Sequence, residues 1–268
     1  MQYDNVILQP DYFSHLKCVF PVLDEECYDL QLYELVYEEN EGTPIYQILD
    51  SPLDAGNAVP GRIEAFSYDY GVDVVKVVEI RGDCEDTIMY NVVGHPLASV
   101  PPMRAPLRLF ECDDAIEAYG ILDNVSLIQF LVANYPVIVE KSGIDIRKEY
   151  DVDFIVYARD CKILKKRARS SVSSGPEEGG DYEIFTQYDH DDFDGASFTS
   201  LVYDIRKIDV CGEPFYKVKI KGPQIDCNDE IFCYMTLYVP KNNFPEGLHA
   251  GDLIRGSGWV QGIVHSER

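Results

Sequence analysis

The chain has 268 residues and a mass of 30.4 kDa, with 46% hydrophobic and 12% aromatic residues. This length and composition exclude a minidomain, a disordered chain and a collagen-like chain, and they allow two domains. The formal net charge of -24 makes attraction to DNA phosphates or to an anionic membrane through overall charge unfavourable.

The first part of the chain, residues 1–59, is predicted to be an acidic segment associated with the first folded module. Residues 1–60 hold 12 acidic residues and one basic residue, Lys17. The start carries no basic and apolar leader run, and no run of about 18 apolar residues occurs anywhere. We therefore expect a cytoplasmic protein without membrane association. The pattern over Pro21–Tyr37 is ambiguous between helix and strand.

Most of the chain alternates between apolar and polar residues with period two, which is typical of β-strands. The runs are short, rich in Val, Ile, Tyr and Phe, and bounded by Gly, Asp or Pro. They predict strands at Leu35–Tyr37, Ile45–Leu49, Arg62–Tyr68, Val74–Ile80, Ile88–Val93, Ile116–Leu122, Val137–Val139, Phe154–Ala158, Ser200–Ile208, Phe215–Ile220 and Ile231–Tyr238. Strands at this spacing favour a mostly β protein built from barrels or sandwiches, with little helix.

An internal repeat is the most informative feature of the sequence. Val78–Gly82 and Val218–Gly222 both read V-x-I-[RK]-G, and each is followed by the pattern D-C-x-D-x-I, directly or after three residues. Upstream, Gly71 matches Gly212, and downstream Asp114–Gly120 matches Asp252–Gly258. Ordered matches at an offset of about 140 residues predict two copies of one antiparallel β module, at 60–123 and 198–268.

Residues 124–197, between the two copies, are predicted to hold a helix, strands and a flexible loop. Apolar spacing and Pro136 favour a helix over Ser126–Asn134. The small, polar, Gly- and Pro-containing stretch 170–180 predicts a mobile surface linker. It lies between a basic run at 162–169 and an acidic run at 189–194, whose spacing does not satisfy a calcium-binding loop.

The second copy contains a candidate binding face. Lys217, Lys219 and Lys221 alternate with Val218 and Ile220 along one predicted strand. On the next strand, Phe232, Tyr234 and Tyr238 lie on the face opposite Ile231, Cys233 and Met235. If the aliphatic faces line the core, the lysines and aromatic rings share the outer face. Such a surface suits single-stranded nucleic acid, although its rings can equally pack on another part of the protein.

The order of the predicted strands carries a fold-level resemblance. Three meandering strands, a connection and a returning strand ending in Gly-Asp-Leu-Ile-Arg-Gly-Ser-Gly-Trp-Val-Gln-Gly (251–262) resemble the oligonucleotide/oligosaccharide-binding barrel, or OB-fold. The resemblance covers residues 60–122 and 198–262 and implies two tandem OB-like barrels. A β-sandwich and an SH3-like barrel remain open.

The sequence favours no catalytic, metal or cofactor site. The eight cysteines are spread through the chain and contain no C-x-x-C, so we interpret them as free thiols. The repeated D-C-x-D segments are typical of turns in which a carboxylate accepts backbone N–H groups. The alternative is an enzyme whose carboxylates meet only in three dimensions, with Asp83, Asp86, Asp226 and Asp229 as candidates.

Charge gives the leading functional hypothesis. Residues 199–268 hold nine acidic and eight basic residues and are close to neutral, whereas residues 1–60 carry a net charge of -11. An acidic surface attracts a cationic one. We therefore expect a non-enzymatic binding or adaptor protein, similar to inhibitor or immunity proteins, that engages a basic protein partner. Binding of single-stranded nucleic acid by the second module is the alternative.

Overall fold

The structure is a computed structural model that describes residues 43–49, 61–81, 84–113, 117–122, 128–133, 148–165, 183–187, 195–226 and 231–265. Within these ranges the chain forms β-strands and one short 3₁₀ helix, Lys241–Asn243, and contains no α-helix. The prediction of a mostly β protein with antiparallel sheets is confirmed. No helix in these ranges is long and apolar enough to cross a membrane.

Fourteen strands are formed by the described residues. They are β1 (Thr43–Leu49), β2 (Gly61–Asp69), β3 (Asp73–Arg81), β4 (Cys84–Val93), β5 (Met103–Asp113), β6 (Glu117–Leu122), β7 (Ile128–Val132), β8 (Glu149–Lys165), β9 (Ile184–Gln187), β10 (Gly195–Leu201), β11 (Asp204–Val210), β12 (Glu213–Asp226), β13 (Ile231–Pro240) and β14 (Leu253–His265).

The strands form two sheets. The first has the order β1-β2-β3-β4 and is antiparallel throughout. The second has the order β11-β12-β13-β8-β5-β6-β7-β14-β10-β9, and β8 pairs additionally with β14. Its pairs are antiparallel except β13 with β8 and β7 with β14, which are parallel. Strands β8 and β14 of this sheet are paired from Leu253 opposite Lys165 to His265 opposite Asp151.

The glycine match and the V-x-I-[RK] match of the repeat lie on corresponding elements of two antiparallel meanders, β2-β3-β4 and β11-β12-β13. Gly71 and Gly212, which turn the chain between the first two strands of each meander, both have a φ of 83°. In each turn a preceding aspartate carboxylate accepts the glycine N–H, from Gly71 to Asp69 at 2.9 Å and from Gly212 to Asp209 at 2.7 Å. Both turns therefore contain a glycine with positive φ whose N–H is bound by an aspartate carboxylate. The duplication of the sequence stays a prediction.

Two buried clusters hold the sheets together. The first contains the aliphatic faces of β12 and β13, including Val218, Ile220, Met235 and Leu237, packed with residues of β8, β10 and β14. The second joins the two sheets, because Val72, Val74 and Val92 of the first sheet pack with Tyr157, Phe215, Tyr238 and Trp259 of the second. Tyr157 and Trp259 stack with ring centroids 5.2 Å apart.

The predicted helix over Ser126–Asn134 is wrong. Ile128–Val132 forms strand β7, paired with β6 on one side and with β14 on the other. Four of its five residues are buried, and Gln129 is the exception. A short run that is apolar almost throughout fits a strand buried on both faces as well as a buried helix, so its periodicity could not decide between them.

Several other predictions lie outside the described residues. These are the ambiguous segment 21–37, the strands at 35–37 and 137–139, the loop at 170–180 and the acidic run at 189–194. Among the cysteines whose side chains are described, Cys161, Cys211 and Cys233 are free, as predicted.

Candidate functional site

The six residues predicted as a binding face lie on the paired strands β12 and β13. Lys217 is directly opposite Tyr238, and Lys221 is directly opposite Tyr234. Between the lysines, Val218 and Ile220 point into the first buried cluster and are fully buried. The period of two along both strands therefore places the lysines and aromatic rings together on the face that points away from this cluster.

Each lysine of this face lies over one of its aromatic rings. The Nζ atom of Lys217 is 5.4 Å from the ring centroid of Tyr238, that of Lys219 is 4.2 Å from Tyr234, and that of Lys221 is 3.5 Å from Phe232. Cation–π contacts of this kind stabilise by about 0.5–1 kcal/mol at exposed sites and by more where water is excluded. The rings are thus already engaged by cations of the same chain.

Part of the face is covered by residues 94–100, which follow β4 and which we call the covering segment. The Tyr238 hydroxyl donates to the carbonyl oxygen of His95 at 2.9 Å and accepts the N–H of His95 at 2.8 Å. The Thr236 hydroxyl oxygen accepts the N–H of Leu97 at 2.9 Å. Tyr238 and Thr236 are fully buried as a result, with exposed fractions of 0%.

The covering segment also engages the middle lysine. The Lys219 ammonium donates to the carbonyl oxygen of Ser99 at 2.8 Å, and the Ser99 hydroxyl donates to the Asp204 carboxylate on β11 at 2.6 Å. The hydrogen bond from Ser99 is the largest cause that lowers the pKa of Asp204. A charged group on each side of Ser99 thus fixes the segment to strands β11 and β12.

An acidic residue covers the other end of the face. The Glu183 carboxylate lies 3.4 Å from the Lys221 ammonium, and both side chains are largely buried. It also accepts hydrogen bonds from the Tyr203 hydroxyl at 2.7 Å and from the backbone N–H of Leu201 at 3.0 Å. Burial, followed by the bond to Glu183, raises the pKa of Tyr203. The positive charge of Lys221 is therefore compensated by the Glu183 carboxylate.

Burial changes the ionisation of the residues at the covered end. Desolvation, with a smaller contribution from the nearby Arg206 cation, lowers the pKa of Lys217 to about 8. Desolvation raises the pKa of Tyr238, and the nearby Asp73 and Asp69 carboxylates act in the same direction. At physiological pH the Tyr238 hydroxyl is therefore neutral and forms hydrogen bonds. The Lys217 ammonium loses its proton more readily than an exposed lysine does.

The sequence did not predict the acidic cluster beside the covering segment. His95 Nε2 lies 3.2 Å from the Asp73 carboxylate, and one ligand atom from each of Asp69, Asp73 and His95 lies within 4.8 Å of the others. The hydrogen bond that His95 donates to the Asp73 carboxylate is the largest cause that raises the pKa of His95. The register of β3 and β4 pairs Asp73 with Val93, so the hairpin already places His95 near this carboxylate. The cluster is an ion pair beside an aspartate that caps a turn, and its donor atoms are also of the types that bind divalent cations.

The described structure places only two of the four aspartates considered for catalysis. Asp86 lies on β4 and Asp226 on β12, strands that belong to different sheets, and Asp83 and Asp229 lie outside the described residues. Cys161 is buried in β8, and desolvation together with Asp160 raises the pKa of its thiol to about 12. This environment disfavours the thiolate that a nucleophile needs.

No family model, curated protein or solved structure matches this chain.

Proposed function

We propose that this chain is a non-enzymatic binding protein whose acidic N-terminal part engages a basic protein partner. The observation that carries the proposal is the uneven charge, with 12 acidic residues and one basic residue in positions 1–60. An acidic surface of this kind steers a cationic partner and speeds its encounter, and the effect weakens as salt rises.

The lysine and aromatic face supports the same proposal, because its side chains already make contacts within the chain. Lys219 is bonded to the covering segment, Lys221 is paired with Glu183, and Tyr238 is buried between the sheets. A ligand for this face has to displace these contacts. An interaction through the acidic part of the chain leaves them intact.

We further propose that the framework consists of OB-type barrels. Strand pairing from β11 through β12, β13, β8 and β14 to β10 supports this, because only Val202 and Tyr203 separate β10 from β11. The Tyr203 N–H bonds to the Lys219 carbonyl oxygen and so continues the pairing of β11 with β12. With β10 and β11 counted as one strand, the circuit has five strands and one parallel pair, which is the arrangement expected of an OB-fold.

A second circuit with the same arrangement supports two such units. Its pairs are β5 with β6, β6 with β7, β7 with β14 in parallel, β14 with β8, and β8 with β5. Both circuits use β8 and β14. In this proposal the two barrels share their central strand pair, so the units differ from the sequence copies 60–123 and 198–268.

The proposed function is tested by capturing partners on the full chain and on two triple variants. Asp24→Asn, Glu25→Gln and Glu26→Gln remove three charges from the acidic part. Glu149→Gln, Glu213→Gln and Glu246→Gln remove three charges from exposed positions elsewhere. We expect salt-eluted, basic proteins on the full chain and on the second variant, and about tenfold weaker capture on the first, since three such charges contribute roughly 0.5 kcal/mol each. Equal capture by the two variants would contradict the proposal.

Single-stranded nucleic acid is the second candidate ligand, favoured by the alignment of Lys217, Lys219 and Lys221 with aromatic rings on the next strand. Bases stack on rings while ammonium groups follow phosphates. Fluorescence anisotropy of a labelled oligonucleotide with the full chain tests it. Binding at low salt that is lost in Lys219→Gln and retained in Lys207→Gln supports this candidate, and no binding at low salt excludes it.

A further inference from the structure

A cleft of about 550 Å³ lies over strands β8, β14, β10 and β9, away from the lysine and aromatic face. Two rows of its lining residues cross all four strands in register. The first row is Lys162, Arg255, Thr199 and Ile184, and the second is Asp160, Ser257, Ser197 and Thr186. The cleft therefore presents two adjacent cations beside four hydroxyl groups.

The two cations are unfavourable neighbours in the absence of a ligand. Lys162 and Arg255 are directly opposite each other on paired antiparallel strands, and like charges in this position repel. Both side chains are exposed, and within the described part of the chain neither lies within ion-pair distance of a carboxylate. Two adjacent cations without a carboxylate partner among the described residues favour an anionic ligand.

The hydrogen bonds among the described residues of the cleft leave nitrogen donors of Lys162 and Arg255 available to a ligand. Arg255 uses Nε to donate to the Thr199 hydroxyl at 3.1 Å, which orients the guanidinium and leaves its two terminal nitrogens for a ligand. The Asp160 carboxylate, which could compete for the cations, already accepts the N–H of Ser257 at 2.6 Å and its hydroxyl at 2.7 Å. The two terminal nitrogens, which make no hydrogen bond to another described residue, match the geometry of a phosphate group.

A glycine at the floor of the cleft allows strands β8 and β14 to approach closely. Gly256 is opposite Phe198, and a Cβ atom at Gly256 would lie 2.9 Å from the Phe198 ring and 2.3 Å from the backbone oxygen of Asp160. At the rim, the Ile184 side chain is 56% exposed. The cleft thus combines a cationic, hydroxyl-lined part with an apolar contact for the group that carries the anion.

We propose that this cleft binds a phosphate group, with Arg255 and Lys162 as its cationic ligands and the hydroxyls of Thr199 and Ser197 as additional donors. None of the cleft residues belongs to positions 1–60, so this proposal does not depend on the proposed function. The same phosphate chemistry occurs in free phosphate, in a phosphorylated side chain and in a nucleotide.

Calorimetric titration of the full chain at constant ionic strength tests the proposal, with inorganic phosphate, O-phosphoserine and adenosine 5′-monophosphate as probes. The variants are Lys162→Gln and Arg255→Gln, and Lys207→Gln on the exposed part of β11 is the matched control. We expect at least one probe to bind, with affinity lowered about tenfold or more in both cleft variants and unchanged in the control. The tightest probe identifies the source of the phosphate, and equal binding of all three indicates a site for the free anion.

Thermal unfolding without ligand provides a second readout. Because Lys162→Gln removes a like-charge contact, we expect this variant to unfold at a temperature no lower than the parent chain, while the phosphate-induced rise in that temperature disappears. A purely structural role for Lys162 would lower stability instead. The proposal is overturned if no probe binds the parent chain, or if both cleft variants bind as tightly as the control.

Discussion

The backbone N–H of Cys211 donates a hydrogen bond of 3.1 Å to the carbonyl oxygen of Tyr70. This bond joins the turn between β11 and β12 to the turn between β2 and β3, which are the first turns of the two meanders. Val72 and Val210, which follow and precede these turns, are both fully buried in the second cluster. The two sheets therefore meet where the repeated sequences place the same glycine turn.

Alanine at the two turn glycines separates backbone strain from steric contact. Both have a φ of 83°, so alanine at either position costs about 1 kcal/mol of backbone strain. At Gly71 a Cβ atom would lie 1.9 Å from the Asp209 carbonyl oxygen, whereas nothing lies within 4 Å at Gly212. We expect Gly71→Ala to lower the free energy of unfolding by roughly 1–3 kcal/mol more than Gly212→Ala, as measured by urea denaturation. Equal losses would contradict the close contact between the turns.

Removing the Tyr238 hydroxyl should release the covering segment. Tyr238→Phe leaves the His95 N–H and carbonyl without this partner, and we expect a loss of roughly 1–3 kcal/mol in the free energy of unfolding. Tyr234→Phe is the matched control, because no hydrogen bond is present at the Tyr234 hydroxyl within the described residues. Amide hydrogen exchange should accelerate at His95 and Leu97 only in Tyr238→Phe. Unchanged exchange there would show that the hydroxyl does not hold the segment.

A buried amide side chain makes a second connection to the same segment. Gln261 Oε1 accepts the N–H of Gly94 at 3.2 Å and the Tyr157 hydroxyl at 3.4 Å, and its Nε2 donates to the Val92 carbonyl oxygen. Gln261→Leu removes the acceptor of a buried N–H group, so we expect a loss of roughly 1–3 kcal/mol in chemical denaturation. A change below about 0.5 kcal/mol, typical of a surface substitution, would rule out this connection.

The His95 and Asp73 pair should make stability depend on pH. The pKa of His95 is raised above 6.5 in the folded chain, chiefly by the bond to Asp73, while burial and Lys217 oppose the rise. The stability that this pair contributes is fully present below pH 6.5 and is lost as pH rises through the pKa of His95 in the folded chain. Asp73→Asn should therefore lose more stability at pH 5.5 than at pH 7.5, a range chosen below the pKa of Lys217 near 8. A loss independent of pH would mean that His95 is not coupled to Asp73.

Local patterns predicted the strands better than they predicted the contacts between them. Alternation located β12 and β13 and placed the lysines with the aromatic rings on one face. Strand β5 was not predicted, because Pro101, Pro102 and Pro106 interrupt its pattern, yet Pro106 pairs with Glu149 at the end of the β5 and β8 ladder. The run at Ile128–Val132 was predicted as helix because it is too short and too apolar to show a clear period.

The sequence could not predict whether the lysines and aromatic rings of the candidate face are free or make contacts within the chain. Whether lysines and rings are free depends on Ser99 and Glu183, which are 120 and 38 residues away from their lysine partners. Neither residue belongs to a motif, and their positions are set by how the two sheets and β9 pack. In contrast, the Asp73 and His95 pair was accessible to sequence reasoning, since it follows from the register of one hairpin.

The most direct test of the proposed function is the affinity of the full chain for its captured basic partner as salt is raised from 50 to about 500 mM, a range over which the Debye length falls from roughly 14 to 4 Å. We predict that affinity falls by at least about tenfold across this range. The variant Asp24→Asn, Glu25→Gln, Glu26→Gln should show a weaker dependence on salt, because fewer charges take part. An affinity that does not change with salt, or a dependence that is the same in this variant, would contradict an interaction through the acidic N-terminal part.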